Sequence, residues 1–136
     1  MRLGIDFGTT RTVVACADRG NYPVLSFEDE NGDARDYLPS LVAERDGELR
    51  FGFDAAAADP SFTVLRSFKR LLADPRAMPT REVLVGSTRL TLSELLVRYF
   101  SWLRELSPRR VARRAGLWAR GPLCSRRRGS RLRRGR

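Results

Sequence analysis

The sequence predicts an α/β fold: a mixed sheet that begins as an antiparallel meander and is left incomplete, followed by a disordered basic tail. The N-terminal residues alternate with a period of two, Leu3, Ile5 and Phe7 against Arg2, Gly4 and Asp6. Residues 92–106 instead repeat their apolar positions at helical spacing. Charge divides the chain near Ser107-Pro108. Residues 1–106 carry 13 Arg and one Lys against 16 acidic residues, a net charge of −2. Residues 107–136 carry 12 Arg and no acid, a net of +12.

The first strand gives way to Gly8-Thr9-Thr10 before the apolar run Val13 to Ala17, so a tight bend joins two strands. Gly8 has no Cβ and can take positive φ, which lets a ligand approach the backbone. Thr9 and Thr10 offer hydroxyls and N–H groups to an anionic oxygen. Asp6 would repel a phosphate that touched it. Its natural partner is Mg²⁺, which prefers hard oxygen ligands and keeps waters through which one carboxylate can hold it beside a phosphate. A plain β-hairpin with a polar turn accounts for the same residues. Asp6-Phe7-Gly8 also spells the metal-binding triplet of protein kinases, but nothing in the chain resembles a kinase catalytic loop.

Val13 to Ala17 is apolar on both faces, as in a strand inside a sheet. Asp18 to Asn21 reads as a turn and Tyr22 to Phe27 as the third strand of the meander. Glu28 to Asp36, acidic and containing Asn31-Gly32, reads as a solvated loop. Leu41–Arg45 and Glu48–Gly52 flank Asp46-Gly47, the dipeptide favoured in a type I′ hairpin. A short helix is expected from Gly52 to Ala58. In residues 61–74, Ser61 as cap and Val64, Leu65, Phe68, Leu71 and Leu72 as an apolar stripe predict a helix stopped by Pro75. Lys69, the chain's one lysine, stands at the edge of that stripe, where a solvated charge is the ordinary expectation. Arg81–Gly86 and Thr88–Leu92 read as a further strand pair. Thr91 and Glu94 fit a capping box opening a helix whose stripe is Leu92, Leu95, Leu96, Tyr99, Phe100, Leu103 and Leu106, ending at Pro108.

The tail has no sustained period and too few apolar residues to offset the cost of ordering it. It reads as an arm that binds nucleic acid with steep salt dependence, as a tether to a polyanionic surface, or as the product of a shifted reading frame in GC-rich DNA. Trp118 is its one base-stacking side chain.

GIDFGTTRTVVA resembles the first phosphate-binding loop of the DnaK chaperones, the seventy-kilodalton heat-shock ATPases of the actin-like superfamily. Leu38-Pro39-Ser40-Leu41-Val42 resembles that family's Pro-Ser segment. Gly52 with Asp54–Ala58 is similar to its Gly-x-x-Ala run, and Ser67-Phe68-Lys69-Arg70-Leu71-Leu72 to its Lys-Arg-Leu triplet. The resemblance spans roughly residues 1–106 and implies the first lobe of an actin-like (ribonuclease H-like) ATPase domain. It implies ATP and Mg²⁺ as cofactors, with Asp6 holding the metal's waters. Gly8, Thr9, Thr10 and Arg11 would surround the phosphates, and Lys69 would act catalytically by steadying the γ-phosphate and orienting the attacking water. Arg11 departs from the small polar or aromatic residue usual in the family. The second phosphate loop, the adenosine pocket, the water-activating carboxylates and the peptide-binding domain have no counterpart. The expectation is thus a fragment of an ATP-dependent chaperone, inactive alone, whose complete relatives would engage unfolded peptides and co-chaperones. The alternative is a non-enzymatic basic protein that binds nucleic acid through residues 107–136.

Composition narrows the rest. A chain of 136 residues has room for one domain. The absence of His excludes a Ser-His-Asp triad and a His-ligated zinc. Cys16 and Cys124 form neither a disulfide framework nor a metal cluster. No apolar run approaches the ~20 residues of a membrane span, and Met1 leads straight into a strand, so a cytoplasmic protein without a membrane partner is expected.

Overall fold

The computed structural model describes residues 2–17 and 20–118, with side chains as far as residue 106. The expected turn at Asp18 and Arg19, and the tail from residue 119 with Cys124, lie outside the described residues.

Strand β1 (Arg2–Phe7) pairs antiparallel with β2 (Arg11–Ala17), with Ile5 opposite Val14 and Phe7 opposite Thr12. The strand–bend–strand expectation therefore holds. The third strand does not. Tyr22–Phe27 contributes a single bridge, Val24 to Ala15, because Pro23 has no N–H to extend the ladder. The chain instead forms β3 (Phe27–Glu28) and β4 (Ala34–Arg35), a small hairpin where a solvated loop was expected. Asp29 closes it, accepting from the N–H groups of Asn31 at 3.0 Å and Asp33 at 2.9 Å and from Arg35 Nε at 2.8 Å. The place beside β2 goes to β5 (Leu38–Pro39), whose Leu38 pairs with Thr12.

Strands β6 (Leu41–Arg45) and β7 (Glu48–Phe51) form the expected hairpin. Asp46 and Gly47 take φ of 52° and 86°, the left-handed pair a type I′ turn requires. Helix α1 (Gly52–Ala56) follows as expected.

The predicted helix at residues 61–74 is overturned. Thr63–Arg66 is strand β8, which covers the second edge of β6 with Val64 opposite Ala43 and Leu65 opposite Val42. A helix there would leave that edge unpaired, and β-branched Thr63 and Val64 favour the strand. Ser61 caps nothing; its N–H and hydroxyl both turn to Asp59. Ser67, at φ 53°, reverses the chain into a 3-10 helix, Phe68–Ala73. Of the expected stripe only Phe68 is fully buried, and Leu72 is exposed.

Strands β9 (Glu82–Val85) and β10 (Thr88–Thr91) pair as predicted. Helix α2 (Leu92–Trp118) opens on the capping box: Thr91 N–H donates to Glu94 Oε2 at 2.7 Å, and Glu94 N–H to Thr91 Oγ1 at 3.2 Å. The helix does not stop at Pro108. A proline forfeits one backbone hydrogen bond to the residue four before it, and the helix continues to Trp118. The backbone of residues 107–118 is thus helical, where a tail without order was expected.

Every named strand pairing among the described residues is antiparallel, so the parallel part of the expected mixed sheet is not among them. The result is an α/β arrangement of several small open sheets, in which α2 spans two cores. Leu92, Leu95 and Tyr99 pack with Val42, Phe51, Phe68, Val83, Val85 and Leu90. Leu103 packs with Val14, Leu25, Phe27 and Leu38. No helix among the described residues is long and apolar enough to cross a membrane.

Candidate phosphate-binding site

The bend between β1 and β2 is built by backbone economy. Gly8 N–H donates to the Arg11 carbonyl at 2.9 Å. A Cβ on Gly8 would run into that same Arg11 oxygen, so only glycine lets the two strands close this tightly. Its role differs from the one expected, because positive φ among the described non-glycine residues is confined to Asp46 and Ser67, and Gly8 is not among the positive-φ glycines. Close approach, rather than left-handed geometry, requires the missing side chain.

Thr9 and Thr10 are exposed at the tip. Among the described residues, no partner takes their N–H groups or hydroxyls. Two of the loop's carbonyls, in contrast, are taken from inside. Ser40 N–H donates to the Thr10 carbonyl at 2.9 Å, and Ser40 Oγ donates to the Gly8 carbonyl at 3.0 Å. The loop therefore shows an approaching group its donors, which suits an anion.

Asp6, the penultimate residue of β1, is exposed and makes no ion pair among the described residues. No group of three metal-ligating side chains occurs among those residues. Asp6 is therefore unsuited to a protein-only cage and suited to a hard cation that keeps its waters beside a phosphate. The donor set fits Mg²⁺ in that form. The Arg11 guanidinium lies over the Tyr37 ring, 4.4 Å from the centroid, a cation–π contact that engages its charge.

Lys69 comes from the 3-10 helix, yet its Nζ stands 5.7 Å from the ring centre of Phe7, the residue before Gly8. Aromatic packing brings it there. Phe7 meets Phe68, the neighbour of Lys69, at 5.4 Å between centroids. Both rings rest on Tyr99, at 5.5 and 5.0 Å. Lys69 thus stands beside Phe7 next to the bend, while the Arg11 guanidinium lies over Tyr37.

Three residues of this region were not singled out as site residues from the sequence. Thr12 and Ser40 are fully buried polar residues, joined through their hydroxyls at 3.0 Å, and the Tyr99 hydroxyl donates to Thr12 Oγ1 at 2.8 Å. A signal existed: Thr12 shares the inward face of β2 with Val14, and Tyr99 lies in an apolar helix stripe, so each hydroxyl demanded a partner. A separate surface hollow, lined by Glu48, Arg50, Asp54 and Ala57, holds none of the predicted site residues.

No protein-family model matches the chain. Over 73 residues, 52% of the chain, it is 42% identical to a protein named chaperone protein HscA homolog from Aeromonas salmonicida. Over 75 residues, 53% of the chain, it is 40% identical to chaperone protein HscA of Serratia proteamaculans. Over 77 residues, 56% of the chain, it is 34% identical to chaperone protein DnaK of Mycoplasmopsis agalactiae. The matched stretch is 11 to 12% of the length of these relatives, so the chain spans about a tenth of the proteins it matches. About half of this chain is thus similar to proteins named HscA and DnaK.

Proposed function

We propose that residues 1–106 are the opening part of a DnaK-type nucleotide-binding lobe, one wall of a cleft for ATP with Mg²⁺, in a fragment of an ATP-dependent chaperone. The observation that carries this is the position of Lys69 Nζ against Phe7. The chain's one lysine is delivered to the phosphate-loop end of β1 from a segment some sixty residues away. The similarity to proteins named as chaperones supports the same reading.

In it, the N–H and hydroxyl groups of Thr9 and Thr10 bind phosphate oxygens, and Asp6 holds waters around the cation. Lys69 brings its compact ammonium to the terminal phosphate, a point charge that a planar guanidinium would not reproduce. Bound Mg²⁺ would neutralise phosphate charge. These groups position and stabilise charge, the main demand of phosphoryl chemistry.

One wall of a cleft binds weakly, so this chain alone is expected to show little or no ATP turnover. A coupled ATPase assay checks this. Turnover at background level is expected. Turnover comparable to that of a full-length DnaK-type enzyme, abolished by Lys69→Ala, would refute the reading of the chain as an inactive fragment.

A further inference from the structure

We propose that Tyr99, Thr12 and Ser40 are positioning residues, a relay of hydroxyls that runs from helix α2 to the Gly8–Thr10 loop and holds its Gly8 and Thr10 carbonyls away from an approaching phosphate. The inference rests on reading that loop as the phosphate site.

The direction of the relay follows from counting protons. Ser40 Oγ spends its proton on the Gly8 carbonyl, an acceptor only. At the Thr12–Ser40 contact of 3.0 Å, where either oxygen could donate, Thr12 must therefore be the donor. With its proton spent, Thr12 accepts from Tyr99, whose hydroxyl donates at 2.8 Å. Every hydroxyl thus gives one proton toward the loop. Burial pushes the Tyr99 phenol above its ordinary range, so the first donor stays protonated.

The far end of the relay has a chemical consequence. Ser40 closes two loop carbonyls at once, Gly8 through its side chain and Thr10 through its N–H. Arg11's carbonyl is closed by Gly8 N–H. Three carbonyls around the bend are thus occupied, while the N–H and hydroxyl groups of Thr9 and Thr10 stay open at the tip. Ring packing alone would not achieve this, because Phe at position 99 would keep the aromatic contacts and start no relay.

The test uses the full chain and the variants Thr12→Val, Thr12→Ser and Tyr99→Phe. Amide hydrogen exchange reports whether the Gly8 and Ser40 N–H bonds stay closed. The expected result is exchange about tenfold faster at Gly8 and Ser40 in Thr12→Val and Tyr99→Phe, the worth of one hydrogen bond. The β6–β7 hairpin should be unchanged, and Thr12→Ser should match the parent. Unchanged exchange at Gly8 and Ser40, or equal acceleration in β6–β7, would overturn the relay. Mg–ATP affinity, read by amide shifts of Thr9 and Thr10, should fall about tenfold in Thr12→Val and be kept in Thr12→Ser. If the parent chain does not bind Mg–ATP, the phosphate reading fails, and the exchange pattern still decides the relay.

Discussion

The ring of Phe68 lies 5.4 Å from that of Phe7, tilted by 48°, so the residue before Lys69 and the residue before Gly8 share one contact. This pairing makes the site a tertiary object. It ties the segment that carries the lysine to the strand that ends in the loop.

Phe68 is 1% exposed and also meets Tyr99 edge-on at 5.0 Å. Truncation to alanine is expected to cost about 3–5 kcal/mol, a large part of the roughly 5–15 kcal/mol that holds a domain folded. Phe68→Leu, which keeps most of the volume, should cost under about 1.5 kcal/mol. Urea denaturation of the two variants checks both values. Equal and small losses would mean that Phe68 does not hold the aromatic hub.

Glu44 is buried in β6 and joins two turns of the structure. It accepts from Thr88 Oγ1 at 2.7 Å, Gly47 N–H at 2.9 Å, Ser87 N–H at 2.8 Å and Ser87 Oγ at 3.0 Å. The Thr88 hydroxyl first, then the Gly47 and Ser87 donors, lower its pKa from the ordinary 4.5 to about 2. A depressed carboxylate stabilises the fold fully above its unfolded value. That contribution is lost as pH falls from about 4.5 toward 2. Glu44→Gln should melt lower than the parent at neutral pH, and the gap should narrow as acid is added below pH 4.5. A gap that stays constant across that window would contradict the assignment.

Thr91 and Glu94 bond each other's N–H groups at the start of α2. Thr91→Ala is expected to cost about 1 kcal/mol, and Thr91→Ser only a few tenths. Chemical denaturation distinguishes them. Indifference to both would show that packing alone fixes the helix start.

Local rules made much of the fold legible. The capping box, the Asp46-Gly47 turn and the β1–bend–β2 unit each depend on residues close in sequence, and each formed as read. Residues 61–74 failed because Val64, Leu65 and Phe68 suit a helical face as well as a strand followed by a turn. The open edge of β6 decided between them, and that edge is invisible to a local period. Pro23 is the local signal for the break in the third strand, since it has no N–H to give the ladder. Asp6, Gly8, Thr9, Thr10 and Lys69, the groups of the proposed site, stand out in the sequence only by resemblance to a family motif. Thr12, Ser40 and Tyr99 do not, since their partnership spans 87 positions between Thr12 and Tyr99 and arises only on folding.

In the proposed function the tip of the β1–β2 bend, completed by Lys69, receives the phosphates of a nucleotide. A titration of the isotopically labelled chain with Mg–ATP, following its backbone amides, tests this most directly. The account predicts saturable shifts at Thr9 and Thr10, reproduced by Mg–triphosphate and weakened in Lys69→Ala. Shifts confined to other parts of the chain, or shifts at Thr9 and Thr10 indifferent to Lys69→Ala, would contradict it.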